Sequence, residues 1–192
     1  MTRKETATKI LYEKGLHHEL SKYGKPHIIG SYYMDMMVCN DLDIDIESDS
    51  MTLEKLYSLT NYILTTFHPT WYEAREEVND EGKTVWFHGF HSIIDNQVWN
   101  FDLWFFDKET IQKAENFCSN ITQQCQQNLS LKTTIIQLKK TLLQKNLYRY
   151  DKYTSMDVYN AVLCEGITNV NTFLNKHPLP PHILKESNPL DY

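Results

Sequence analysis

Residues 30–46 read GSYYMDMMVCNDLDIDI, and residues 41–46 alternate Asp41, Asp43 and Asp45 with Leu42, Ile44 and Ile46. A two-residue period marks a strand with one face in a core and the other in water. Asp is a poor strand former, and like charges along one face repel each other. Either a divalent cation sits among them, or the strand has an unusually acidic wet face. Side chains two apart on a strand share a face and lie about 7 Å apart, so Asp41 projects beside Asp43, with Asp45 one step further. A calcium loop is excluded by the letters. Counted from Asp41, the sixth position is Ile46 where Gly is needed, and the twelfth is Thr52 where Glu is needed.

Upstream, residues 4–22 carry Ile10, Leu11, Leu16 and Leu20 near helical spacing, stopped by Gly24 and Pro26. HIIGS (27–31) reads as a short strand entering a turn, and YYMDMMV (32–38) as a short helix. Downstream, residues 51–67 are helical through Leu53, Leu56, Leu59 and Ile63, with Ser50 or Thr52 as N-cap. All four tryptophans fall between 71 and 104, in three strand-like runs, WYEAREEV, TVWFHGFHSII and QVWNFDLWFF. NDEG (79–82) and DNQ (95–97) are the turns between them. From 108 the chain turns helical in four segments, and four of its six prolines lie beyond residue 177, so the tail should hold little helix. This order predicts an α+β fold, with a mixed β-sheet core over 1–107, flanking helices and a C-terminal helical bundle over 108–192.

The 192 residues are 41 % hydrophobic and 23 % charged, enough for a real core, and the formal net charge is −6. That balance disfavours nucleic acid as a partner, because duplex binders show basic surfaces. The start, MTRKETATKI, lacks an apolar signal-like stretch, and no apolar run is long enough to span a bilayer. A soluble, cytoplasmic protein without a membrane partner is expected. Cys39, Cys118, Cys125 and Cys164 show no CxxC spacing, which argues against zinc and thioredoxin-like chemistry and for reduced thiols.

A hard cation such as Mg²⁺ takes a few carboxylate oxygens and keeps positions for water and phosphate. Two carboxylates on one strand and a third from a neighbour suit two-metal phosphoryl transfer. Asp102, alone among the aromatics of NFDLWFF, is the candidate third, since an unpaired charge in an apolar strand is costly unless it faces a wet or metal-bearing site. His88 and His91, three apart on a strand, point to opposite faces and do not share a metal. The aromatic block builds a sheet core by default, with stacking on a base or sugar as the second reading. Leu131, Ile135, Leu138 and Leu142 form an apolar stripe, with Lys132, Lys139, Lys140 and Lys145 off it. The stripe packs on its own domain or, second, makes a homodimer contact. HHE (17–19) is a polar helix face.

IIGS (28–31), NDLDIDI (40–46) and WNFDLWFF (99–106) together resemble the nucleotidyltransferase superfamily with the DNA polymerase β-like fold, nearest in scale to its small antibiotic-modifying and minimal members. The resemblance spans roughly residues 25–107. It implies that Gly30 and Ser31 hold nucleotide phosphate, that Asp41 and Asp43 bind Mg²⁺, and that Asp102 completes the metal site and activates an acceptor hydroxyl. The implied reaction passes a nucleoside monophosphate from NTP to a small-molecule hydroxyl and releases pyrophosphate. A helix start is a natural phosphate site because its amides are unpaired. Asp43 with Asp45 is the other possible pair. Asn40 favours Asp41 with Asp43, since a small polar residue commonly precedes the first carboxylate of the resembling motif. Many relatives carry Arg after Gly-Ser, whereas 32–40 holds no basic residue and includes the acidic Asp35. Lys132, Lys139 or Arg149 would have to substitute. Two rivals are a non-catalytic nucleotide- or metal-binding module on the same fold and a structural protein whose acidic strand faces solvent.

Overall fold

A computed structural model describes residues 1–48, 50–79 and 81–180. The chain forms two compact units, Met1–Gln123 and a second from Gln124 onward. Helix α1 (Arg3–Thr8) starts on a capping box: Thr2 Oγ1 accepts from the Glu5 amide at 3.2 Å, and Glu5 Oε2 accepts from the Thr2 amide at 2.8 Å. The helix then widens into a π-helical turn over Lys9–Glu13, breaks at Gly15 (φ 81°) and resumes as α2 (Leu16–Leu20). The single helix expected over 4–22 is therefore three pieces. The wide turn and the left-handed glycine let Ile10, Leu11, Leu16 and Leu20 all be fully buried.

Strand β1 (Lys25–Ile28) leads into the four-residue helix α3 (Gly30–Tyr33), and β2 (Asp41–Glu47) follows. Helix α3 begins two residues before the expected start and stops as Asp35 turns left-handed (φ 57°). Helix α4 (Leu53–Phe67) is capped by Thr52, whose hydroxyl accepts from the Lys55 amide at 3.2 Å. Strands β3 (Trp71–Val78), β4 (Thr84–Ile94) and β5 (Gln97–Phe106) form a meander. Asp95 and Asn96 take φ of 52° and 60°, the backbone a two-residue hairpin turn of this hand needs. Asp80 of the expected NDEG turn, and Pro181 and Pro189 of the tail, lie outside the described residues.

The sheet order is β1-β2-β5-β4-β3, with β2 and β5 parallel and the other neighbours antiparallel. One face is the core. Leu42, Ile44, Ile46, Phe90, Phe101, Leu103 and Phe105 pack there with Leu16, Leu20, Leu59, Ile63 and Phe67 from the helices. Phe90 and Phe101 stack with centroids 4.3 Å apart and planes 6° apart. Burial of this kind contributes about 1.5–3 kcal/mol per large side chain, which outweighs the cost of an acidic opposite face on β2. Helix α5 (Lys108–Gln127) follows the sheet.

The second unit holds α6 (Leu129–Gln144), α7 (Ser155–Leu163) and α8 (Val170–Lys176). Ile135, Leu138 and Leu142 are buried as expected, but so is Lys139. Its ammonium donates to Tyr159 Oη at 2.7 Å and lies 4.4 Å from that ring's centroid. Lys139 falls one turn from Ile135 and beside Leu138, on the stripe rather than off it, so it is not an exposed cation. Among the described residues no helix is long and apolar enough to cross a membrane.

Candidate active site

Alignment of β2 with β5 creates the site. Asp41 pairs with Asn100, Asp43 with Asp102 and Asp45 with Trp104. Paired residues of neighbouring strands share a face, so the Asp43 and Asp102 carboxylates emerge side by side. Asp41, Asp43 and Asp102 each offer an oxygen within 4.8 Å of the other two. Asn100 Nδ2 donates to Asp41 Oδ1 at 2.7 Å. The Asp102 carboxyl is pushed up to about 6, first by burial and then by the nearby Asp41 charge, against the Asn100 hydrogen bond and the Arg75 charge. Three crowded, half-buried carboxylates are the hard oxygen set that suits a divalent cation.

Gly30 is the structural counterpart of this crowding. Its φ is 65°, and a Cβ placed there would sit 2.0 Å from Asp43 Oδ2. The backbone at the start of α3 therefore backs directly onto the Asp43 carboxylate, with Ser31 next in the helix. The Ile29 amide donates to the Asp43 carbonyl at 3.2 Å and fixes the approach. The close approach leaves no room for a side chain at Gly30.

Asp45 stands apart from that group. It is 2 % exposed, and burial pushes its carboxyl up to about 7, with the Glu115 charge adding and His27 opposing. His27, the β1 partner of Asp45, has Nδ1 2.6 Å from Glu115 Oε1 on α5. Its Nε2 lies 3.3 Å from Glu47 Oε2 without hydrogen-bond geometry. The neighbouring Cys118 thiol, also on α5, is pushed up by burial.

Two contributors escaped the sequence. Asn100 carried a signal in principle, being two residues before Asp102 and so on its face. Arg3 carried none. Its Nε donates to the Asn40 Oδ1, 37 positions away, at 3.2 Å, at the residue that precedes Asp41 in the chain. Asn40 also donates to Gln97 Oε1 at 3.2 Å and to the Val98 carbonyl at 3.1 Å, and its own carbonyl accepts from the Asn100 amide. The acidic Asp35 is paired with Lys4 at 3.0 Å. A cleft of about 590 Å³ is lined by Arg3, Lys4, Thr6, Asp35, Met37 and Gln97 among others, and none of the three clustered aspartates lines it.

The five-stranded mixed sheet, with two aspartates on one strand, a third on the parallel neighbour and a helix starting Gly-Ser behind them, is a nucleotidyltransferase-like fold. Solved structures with this fold include the Cid1 poly(U) polymerase in a mutant form bound to MgATP (TM-score 0.60, 14 % identity, 86 % of this chain and 50 % of that one). A cytoplasmic RNA terminal U-transferase aligns with TM-score 0.56 and 13 % identity over 84 % of this chain and 47 % of its own. The non-canonical poly(A) polymerase complex GLD-2–GLD-3 aligns with TM-score 0.52 and 14 % identity over 91 % and 58 %. The chain thus spans about half the length of these proteins, and at such identity the likeness concerns the fold. No protein-family model and no curated protein matches the sequence.

Proposed function

We propose that the chain is a Mg²⁺-dependent nucleotidyltransferase that moves a nucleoside monophosphate from an NTP to a small-molecule hydroxyl. The observation that carries this reading is the convergence of Asp41, Asp43 and Asp102 within 4.8 Å, backed by Gly30. Asp41, Asp43 and Asp102 would hold the metal, with Gly30 and Ser31 against the phosphates. Bound there, Mg²⁺ would neutralise charge developing on the transferred phosphoryl group. Asp102 would accept the proton of the acceptor hydroxyl. The new bond is from acceptor oxygen to the α-phosphorus, the broken one joins the α-phosphorus to the bridging oxygen, and pyrophosphate leaves. Arg3, anchored on Asn40, would supply the positive charge that 32–40 lacks, whereas Lys4 is already paired with Asp35.

A second reading takes the 3′ hydroxyl of RNA as the acceptor, and the similar structures favour it, since they are named as poly(U) and poly(A) polymerases and an RNA terminal U-transferase. The test begins with binding. Millimolar NTP with Mg²⁺ should raise the melting temperature, and Asp43→Asn should remove the gain; no shift with any of the four NTPs would sink the proposal. Pyrophosphate release is then measured with a metabolite panel and with oligonucleotide RNA. Binding without release in either case would mark a non-catalytic module.

A further inference from the structure

We propose that the exposed indole of Trp71 is the platform on which the acceptor stacks, and that the acceptor is a neutral small molecule with a planar heteroaromatic ring beside its reacting hydroxyl. This rests on the nucleotidyl-transfer reading and names the other substrate of that site. Strand register places the platform. On the carboxylate face, β4 sets His91 against Asn100, Gly89 against Asp102 and Phe87 against Trp104. Strand β3 then sets Trp71 against His91, Glu73 against Gly89 and Arg75 against Phe87. Moving sideways from Asp102, the first position is therefore a glycine with no side chain.

Aromatic rings occupy the space that glycine leaves. A Cβ on Gly89 would meet the Phe87 ring at 2.6 Å and Trp71 Cζ3 at 3.1 Å. Directly opposed Cβ positions on antiparallel strands are about 5 Å apart, so the edge of the indole comes within about 8 Å of the Asp102 Cβ. That distance lets one small substrate lie on the ring and present a hydroxyl to the carboxylate. The Trp71 indole rests on the His91 ring at 4.8 Å, yet the residue stays 42 % exposed, unlike the buried Phe87. Large aromatics gain free energy when such a surface is covered by a flat ring.

The rest of the shelf selects by charge. Arg75 lies 4.2 Å over Phe87 and 5.5 Å from Trp104, where Glu73 (2.8 Å) and Glu77 (2.9 Å) hold its guanidinium. With one cation outnumbered by two carboxylates, the shelf repels a phosphate-bearing ring. A neutral ring fits better than the end of an RNA strand.

The test uses adenosine as the ring-bearing probe and sorbitol as a polyol without a ring. Labelled adenosine is dialysed against the full chain with Mg²⁺ and saturating α,β-methylene-ATP, so that the nucleotide site is filled. Wild type should bind adenosine, Trp71→Ala should weaken this by about ten-fold or more, and Trp71→Phe should retain most of it. Sorbitol should not compete. Equal α,β-methylene-ATP affinity in wild type and Trp71→Ala separates a lost stack from a lost fold. If wild type binds neither α,β-methylene-ATP nor the α,β-methylene analogue of any other NTP, the nucleotidyl-transfer reading falls; if it binds another analogue instead, that analogue fills the nucleotide site in the same assay. If it binds but adenosine either does not bind or binds Trp71→Ala equally well, the platform is overturned. Trp71-dependent binding of oligo(A) in place of adenosine overturns the choice of a small neutral acceptor.

Discussion

At Gly30 the absence of one methyl group keeps the carboxylates in place. Alanine there must adopt φ 65°, at a cost of about 1–2 kcal/mol, and must also displace the Asp43 carboxylate, 2.0 Å from the new carbon. Gly30→Ala should leave a folded protein in which Mg²⁺ with NTP no longer raises the melting temperature. A displacement of that size should lower turnover by about 100-fold. A retained ligand-dependent shift would show that Asp43 does not hold the metal. Arg3 acts more gently. It is exposed and anchored through Asn40, so Arg3→Gln should weaken NTP binding by about five-fold. Calorimetric titration of MgATP checks this, and an unchanged affinity would leave the phosphates to other cations.

At the scale of elements, β2 and β5 were legible because alternation states both the strand and its faces. Leu42, Ile44 and Ile46 went to the core, and Asp43 came opposite Asp102. Residues 4–22 break from the single helix their spacing predicts because tertiary burial of Leu16 and Leu20 overrides continuous helical hydrogen bonding. Helix α3 was displaced because four residues carry too little periodicity to set a boundary. Arg3 beside Asn40 and His27 beside Glu115 are 37 and 88 residues apart, separations that no local pattern reports. The aromatic block divided by face, with Phe90, Trp99 and Phe101 in the core and Phe87 and Trp104 with the carboxylates. Strand β4 adds a pH test through His88, which faces the core, is fully buried and meets Tyr72 Oη at 2.9 Å. Burial lowers its pKa from an ordinary 6.5 to about 4. The unfolded chain therefore binds the extra proton between those values. Stability from this group is complete above 6.5 and declines as pH falls towards 4, by about 3 kcal/mol in all. Urea melts at several pH values, compared with those of His88→Gln, isolate this part from the carboxylates common to both. The wild-type curve should fall more steeply with acid, and parallel curves would contradict the burial argument.

At the scale of the whole molecule, the formal net charge of −6 bears on the acceptor. Single-stranded RNA gains affinity by releasing counterions, with log K falling by about 0.7 per phosphate contact for each tenfold rise in salt. An acceptor held through four phosphates would thus lose about 50-fold in affinity between about 50 and about 200 mM KCl. A neutral ring on Trp71 releases no counterions, and the carboxylates around it would not attract a polyanion. Acceptor KM, measured with MgATP saturating at each salt concentration, should therefore change by less than about two-fold over that range. Saturation with nucleotide matters, because ATP itself is a polyanion and its own salt dependence would otherwise enter the slope. A steep slope would mean that basic residues elsewhere on the chain gather phosphates despite the net charge, and the acceptor would then be the 3′ end of RNA.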